Sequence, residues 1–307
     1  MHYDLEAIEF YEILNILKKY AKTNYAKEHI DALVPTNQFE EVLRLNQETK
    51  EAYQAIVKLS DLPLGGLFEI KGSLERCAIG SILDANELLN VVGLLDCSSA
   101  VYKYFKALEN HKVEIPHLKK YSDALAFFPQ LKSSITLAID YDGNINDNAS
   151  RELFTIRRSI ISLQNRLRSK LNELLISKAS MLTENLIILR NNRMCLPVKI
   201  EFKNTFKGII HDISSSNTTC YIEPMSTIEL ANQIDNYIAM EKKEIEAILK
   251  SLSLLVAAEV EGLQNNLELL TSLDIIFAKA GMAKELDYQE VKITDSHAFH
   301  LKKAKHP

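Results

Sequence analysis

The sequence predicts a mainly α-helical protein with one small β-rich insertion, and three observations lead to this prediction. Apolar residues recur at steps of three and four through most of the chain, which is typical of amphipathic helices. Gly and Pro are few, at 9 and 7 of 307 residues. Residues 186–224 change to strand-like runs of β-branched and aromatic residues separated by turn residues. We therefore expect a helical N-terminal domain, then a long antiparallel helical stalk that carries a small β-rich tip.

Residues 1–150 are predicted to form the helical N-terminal domain, with short connecting turns. The turn-forming run Asp140-Tyr141-Asp142-Gly143-Asn144 lies between residues 135–139 and Ile145, and this arrangement predicts a short hairpin. No internal repeat or flexible linker interrupts the domain, so it is expected to pack against the base of the stalk. The predicted helices are residues 5–23, 24–33, 40–58, 86–109 and 118–127.

Residues 151–285 are predicted to form the stalk, with the β tip at residues 186–224. One apolar stripe runs from Leu153 to Leu174 and another from Ile234 to Phe277, both at helical spacing. Two helices that leave one inserted sheet and return from it must run antiparallel, and their apolar stripes then bury each other. At about 1.5 Å per residue, a helix of some thirty residues extends on the order of 45 Å.

The tip is predicted to contain a hairpin. Residues 194–202 and 206–213 are of strand length, and Lys203-Asn204-Thr205 lies between them as a turn. Residues 214–217 form a second predicted turn, and residues 218–222 a further short strand.

Positive charge is concentrated in the first half of the stalk and in the tip. Residues 151–210 hold 12 Lys or Arg and 4 Asp or Glu, although the whole chain has a net charge of -5. Arg binds phosphate well, because its guanidinium is always charged and presents N–H donors in a planar fork. One interpretation is therefore that this basic segment is an arm that contacts phosphates. The other is that the basic helix pairs with the return segment, because residues 226–290 hold 12 acids and 5 lysines.

For Arg157 and Arg166, beside the apolar seam, both interpretations stay open. For the cations of the tip we expect contact with nucleic-acid phosphates; the alternative is that they cover the sheet or pair with Glu201 and Asp212. Aromatic residues are not interleaved there in a stacking pattern, which argues against single-strand readout by the tip. The tip cations are Arg190, Arg193, Lys199, Lys203 and Lys207.

Catalytic and metal sites are not predicted. Adjacent strand residues point to opposite faces, so His211 and Asp212 diverge and do not form a hydrogen-bonded line with the serines that follow. The three histidines near the C-terminus lack companion ligands at a recognised spacing. We expect a structural tip turn whose Asp and Ser side chains bond backbone amides. Its residues are His211, Asp212, Ser214, Ser215, Ser216, Asn217, Glu223 and Pro224.

Cysteine usage and hydropathy indicate a cytoplasmic chain without a membrane segment. The four cysteines form no C-x-x-C pair, so buried free thiols are expected. The first twenty residues contain acids where a signal peptide needs bases, and no run of eighteen apolar residues occurs.

Several separated motifs resemble the bacterial MutS-two family, the branch of MutS-like ATPases without the N-terminal mismatch-reading domain. They occur in the family's order over nearly the whole chain. In the tip turn this chain has Ser216-Asn217 where Ser-Gly is expected, and Asn also tolerates positive φ. The motifs are Leu64-Gly65-Gly66-Leu67, Ile79-Gly80-x-Ile82-Leu83, Asp147-Asn148-Ala149-Ser150-x-Glu152-Leu153, Arg190-x-x-Arg193, Leu196-Pro197-Val198-Lys199-x-Glu201, Gly208-Ile209-Ile210-His211-Asp212, Thr219-x-Tyr221-Ile222-Glu223-Pro224 and Glu229-x-x-Asn232.

The resemblance implies that the chain is the lever and clamp portion of a longer protein, with residues 286–307 as the start of a truncated ATPase domain. No G-x-x-x-x-G-K-[ST] phosphate loop occurs in the 307 residues. We therefore expect no cofactor and no ATPase or nuclease activity here, with ATP and Mg bound by the full-length protein. The family also implies a homodimer for the full-length protein, and the isolated chain is expected to dimerise weakly or not at all.

Three functions are considered. The first is a clamp of a MutS-like ATPase, related to mismatch repair and recombination, that binds double-stranded or branched DNA through backbone phosphates. The second, also implied by the family, is a clamp acting on stalled or collided ribosomes in ribosome quality control. The third is a coiled-coil interaction scaffold without a nucleic-acid role.

Overall fold

The computed structural model describes residues 4–294 and residue 300, and it confirms a mainly α-helical fold with a small antiparallel sheet. The described part of the chain contains ten α-helices and four strands. The helices are α1 (Phe10–Lys18), α2 (Asn24–Asp31), α3 (Phe39–Lys58), α4 (Lys71–Ala78), α5 (Ala85–Asn110), α6 (Pro116–Asp123), α7 (Pro129–Ala138), α8 (Arg151–Ser177), α9 (Ile228–Ala258) and α10 (Val260–Glu285). The strands are β1 (Ile188–Arg190), β2 (Arg193–Lys199), β3 (Gly208–Ile213) and β4 (Thr219–Pro224).

The chain divides into two compact units. One comprises residues 1–144 and 249–307, so far as they are described, and the other comprises residues 145–248. The return segment of the predicted stalk is two helices, α9 and α10, which meet at Glu259. The predicted start of an ATPase domain at residues 286–307 lies largely outside the described residues.

In the first unit, α10 packs against α2, α3, α4 and α5. Asp274 of α10 is 1% exposed, and its carboxylate accepts hydrogen bonds from the backbone N–H groups of Lys22 and Thr23 and from the Thr23 hydroxyl. Thr23 in turn caps α2 by accepting from the backbone N–H of Ala26 at 3.1 Å. This buried carboxylate is satisfied by donors far away in sequence and ties the start of α2 to α10.

Two helices of this unit differ from the sequence prediction. The short helix α4 was not predicted. The strand predicted for residues 135–139 is wrong, because α7 covers most of it: Leu131, Ile135 and Ala138 are buried at helical spacing, and Pro129 occupies the first turn. The turn itself is present, since Asp140 donates its backbone N–H to the carbonyl of Asn144 at 3.0 Å.

The second unit is built on α8 and the first part of α9. Ser150 caps α8 by accepting from the backbone N–H of Leu153 at 2.9 Å. Its hydroxyl also bonds Glu244 of α9 at 2.7 Å, while Arg157, further along α8, bonds Glu241, earlier in α9. The two segments are therefore antiparallel neighbours, whereas α10, which was also predicted to belong to the stalk, packs within the first unit. The buried stripe of α8 is Leu153, Ile156, Ile160, Leu163, Leu167, Leu171 and Leu175.

The sheet has the strand order β1-β2-β4-β3, and every neighbouring pair is antiparallel. The predicted hairpin of β2 with β3 is therefore wrong, because β4 lies between these strands. Residues 200–202 form a single 3-10 turn that carries the chain away from β2. Leu196, Val198, Cys220 and Ile222 share a buried cluster with the leucines of α8, so one face of the sheet packs on this helix.

Three asparagines make the turns of the sheet possible. Asn191 and Asn192 join β1 to β2 with φ of 48° and 62°, the two positive values of a tight two-residue hairpin. Asn217, before β4, has φ of 55°, which confirms that Asn supports the positive-φ turn at this position.

Candidate nucleic-acid interface

The face of the sheet turned away from α8 is covered by charged side chains. Glu223 of β4 has a side chain that is only 4% exposed. It accepts from the guanidinium of Arg193 at 3.4 Å and lies 2.8 Å from Nε2 of His211. Arg193 also donates to Asn232 at 2.8 Å and pairs with Asp235 at 3.0 Å. Glu223 is thus a buried anion held by two flanking strands, rather than a turn residue as predicted.

His211 reaches Glu223 because of a β-bulge. The register of β3 against β4 shifts between Ile210 and Asp212, which leaves His211 as the extra residue and re-aims its ring. His211 and Asp212 have different partners, in agreement with the predicted divergence, since Asp212 pairs with Arg190 at 3.2 Å.

The predicted tip turn forms largely through side-chain-to-backbone hydrogen bonds. Asp212 accepts from the backbone N–H of Ile213 at 2.8 Å. Ser214 accepts from the backbone N–H groups of Thr218 and Thr219 at 3.3 and 3.1 Å. Ser216 bonds the hydroxyl of Thr218 at 2.8 Å. Pro224 ends β4, and Thr227 bonds its carbonyl oxygen.

Arg190 lies across the outer face of the sheet. Its guanidinium carbon is 4.5 Å from the centre of the Tyr221 ring, and Asp212 lies on the far edge strand. A guanidinium stacked in this way loses little freedom by also pairing with a carboxylate. Arg190 thus covers the sheet and pairs with Asp212, one of the acids named in the alternative prediction, whereas Arg193 pairs with Glu223 and Asp235 instead.

The three tip lysines have different environments. The ammonium of Lys199 donates to the carbonyl oxygen of Ser180 at 2.9 Å. Lys203 and Lys207 are exposed, and within the described residues neither is within ion-pair distance of a carboxylate. These two lysines flank the buried Phe206, which anchors their loop in the core of the unit.

The two arginines of α8 that were predicted to bind nucleic acid also have different environments. Arg157 bonds Glu241 at 2.7 Å, Asp147 at 2.5 Å and the carbonyl of Ile145 at 2.8 Å. Burial alone would lower the pKa of this guanidinium, but the hydrogen bonds to the two acids raise it above its usual value. Arg157 is thus paired with the return helix, whereas Arg166 is exposed and lines an open groove on α8.

The four cysteines are buried and free, as predicted. Burial raises the pKa of the Cys195 thiol to about 11, and the nearby Glu223 carboxylate acts in the same direction. Within the described part of the chain, no group of His, Cys, Asp or Glu is arranged to hold a metal ion. None of the described helices combines the length and the hydropathy that a membrane span requires.

Comparison with known proteins finds relatives that are similar to this chain over almost its whole length. "Endonuclease MutS2" of Geobacillus sp. (strain WCH70) is 36% identical over 305 residues, covering 99% of this chain and 39% of the relative. The protein of the same name in Clostridium botulinum (strain Eklund 17B / Type B) is 35% identical over 303 residues, covering 99% and 38%. "Putative endonuclease MutS2" of Bacillus subtilis (strain 168) is 33% identical over 305 residues, covering 99% and 39%.

These matches confirm the resemblance to the MutS-two family along the chain, and they are consistent with an N-terminal segment of such a protein. The chain spans about two fifths of the length of the curated relatives that it matches. No protein-family model matches it.

Proposed function

We propose that the unit formed by residues 145–248 is the clamp of a MutS-like protein and binds double-stranded or branched DNA through backbone phosphates. The observation that carries this proposal is the loop of Lys203 and Lys207, which holds two exposed ammonium groups without an acidic partner among the described residues. Phosphate contacts of this kind position a protein on a duplex without reading its bases.

The other predicted phosphate-binding residues differ from the two lysines, because most of them already have partners within their own unit. Arg193 and Arg157 hold carboxylates of their own unit, so their charges are already neutralised. Arg190 stacks on Tyr221 and is half-buried, and Lys199 bonds a carbonyl. We propose that these four side chains shape the surface and that the lysine loop contacts the phosphates.

The test is the salt dependence of duplex binding by a Lys203→Ala/Lys207→Ala variant. Loss of two phosphate contacts should flatten the dependence of log K on log salt by about 0.9 per contact, equally for different sequences. A Lys242→Ala/Lys243→Ala variant removes the same charge from α9 of the same unit and serves as the control. An unchanged slope in a folded lysine-loop variant would contradict the proposal.

The remaining activities of the family are proposed from the resemblance alone. We propose that ATP and Mg binding, ATP hydrolysis and any nuclease activity belong to the longer protein. We also propose that the helical domain of residues 1–150 is the lever that couples them to the clamp. Purified 307-residue chain should then show no ATP turnover. Ribosomal RNA presents the same phosphates as DNA, so co-sedimentation with ribosomes tests the ribosome alternative separately.

A further inference from the structure

An open groove of about 770 Å³ lies between α8 and α9 within the unit of residues 145–248. It is separate from the lysine loop that carries the proposed function. Nine residues line the groove, among them Phe154, Arg158, Arg166 and Tyr237.

One face of α8 presents polar groups to this groove in a regular row. Thr155, Ser159, Ser162 and Arg166 follow one another at steps of four, three and four, so they share one side of the helix. The hydroxyls of Thr155 and Ser159 donate to helix carbonyls one turn earlier at 3.0 and 2.9 Å, so their oxygens can still accept hydrogen bonds. Ser162 is exposed.

The charge of the groove is positive. Arg158 and Arg166 line it, and none of the nine lining residues carries a carboxylate. Neither arginine is within ion-pair distance of an acid in the described part of the chain, in contrast to the neighbouring Arg157. The two arginines are eight positions apart, which corresponds to about 12 Å along the helix axis, so the charge is spread along the groove. This distribution suits a ligand with repeated phosphates.

Aromatic side chains lie among these cations. The guanidinium of Arg158 lies 5.4 Å from the centre of the Phe154 ring, and Tyr237 lines the opposite wall on α9. Grooves that bind single-stranded nucleic acid combine a positive track for the backbone with aromatic rings on which bases stack. The bases of an unpaired strand are free to stack on such rings, whereas the bases of a duplex are already stacked on one another.

We propose that this groove binds an unpaired nucleic-acid strand, with Arg158 and Arg166 on its phosphates and Phe154 and Tyr237 beside its bases. The proposal rests on the proposed function, because both assign phosphate binding to this unit. It adds a second site of a different class: the lysine loop contacts duplex, and the groove holds the single strand of a branched molecule.

The test compares an Arg158→Ala/Arg166→Ala variant with the unaltered 307-residue chain. Fluorescence anisotropy measures the binding of a labelled oligothymidine and of a blunt duplex over a salt series. We expect roughly tenfold weaker single-strand binding at low salt, with a slope flatter by about 0.7 per lost contact. Blunt-duplex binding should change by less than about twofold, because these arginines do not contact the duplex.

An Arg168→Ala/Lys170→Ala variant is the matched control, since both side chains are exposed on α8 but lie outside the groove. A second variant, Ser162→Glu, places a solvated negative charge in the groove and should weaken single-strand binding without removing any packing. The proposal is overturned if the groove variants behave like the control, or if they weaken duplex and single strand equally. Loss of duplex binding in the lysine-loop variant is measured separately, so failure of the proposed function is distinguishable.

Discussion

The guanidinium of Arg193 lies 3.4 Å from the carboxylate of Glu223, whose side chain is only 4% exposed. Arg193 belongs to β2 and Glu223 to β4, the next strand of the sheet. From the other side, His211 of β3 reaches the second carboxylate oxygen at 2.8 Å. The buried Glu223 carboxylate therefore links three of the four strands. We expect the stability of the sheet to depend on the Arg193 guanidinium that faces this carboxylate.

Arg193→Ala should destabilise the chain by about 3 kcal/mol, because it leaves a buried carboxylate without its permanent cation. Chemical denaturation measures the change. Lys199→Ala is the control: it also removes a tip charge, but its ammonium bonds only a carbonyl at the surface, so we expect a loss of less than about 1 kcal/mol. Equal stability of the two variants would show that the Arg193 pair contributes nothing.

Gly208→Ala should also destabilise the sheet. A Cβ at this position would lie 2.2 Å from the carbonyl oxygen of Glu223 and 2.5 Å from the side chain of Ile222, so β3 would have to move away from β4. We expect the free energy of unfolding to fall by about 1–3 kcal/mol. At Gly65 nothing lies within 4 Å of the added Cβ, so Gly65→Ala should be neutral or slightly stabilising. Thermal melting of the two variants gives the comparison; an unaffected Gly208→Ala protein would refute the close strand approach.

The turn between β1 and β2 gives a third prediction. Asn192 has φ of 62°, which a β-branched residue adopts only with strain. Asn192→Val should cost about 1–2 kcal/mol, whereas Asn192→Gly should be tolerated, because Gly reaches positive φ freely. Denaturation of both variants measures the difference. If valine and glycine gave the same midpoint, the hairpin geometry assigned to β1 and β2 would be incorrect.

The buried thiol of Cys195 should make stability fall at alkaline pH. Its pKa is raised from 9.0 to about 11 by burial and by Glu223, so the folded state keeps the proton that the unfolded state releases. The contribution is complete below pH 9 and is lost as the pH rises through about 11. Urea midpoints across this range measure the decline.

Cys195→Ala is the control for this prediction, because it removes the titrating group while other alkaline titrations remain. The decline with pH should be shallower in the variant than in the unaltered chain. Identical pH profiles would show that the thiol is not shielded in the folded state.

The helical class, the antiparallel pairing of residues near 151–177 with the first part of the return helix, and the β character of the tip could all be predicted from local pattern. Each depends on spacing within one element: the leucines of α8 recur at three and four, and residues 193–224 carry β-branched runs between turns. The positive φ at Asn217 could also be predicted, because a single residue type determines it.

The strand order and the partners of the charged residues were decided by tertiary structure. Nothing local to β2 and β3 indicates that β4 lies between them, because strand pairing depends on which edge each strand meets after the chain turns. Likewise, Arg193 and Lys203 are both cations of the tip in sequence. Only the fold places Glu223 and Asp235 beside the first and, among the described residues, no acid beside the second, since an ion pair requires groups from separate elements to meet. The sequence determined where the positive charge is concentrated; the packing of separate elements decided which of those charges remain available to a ligand.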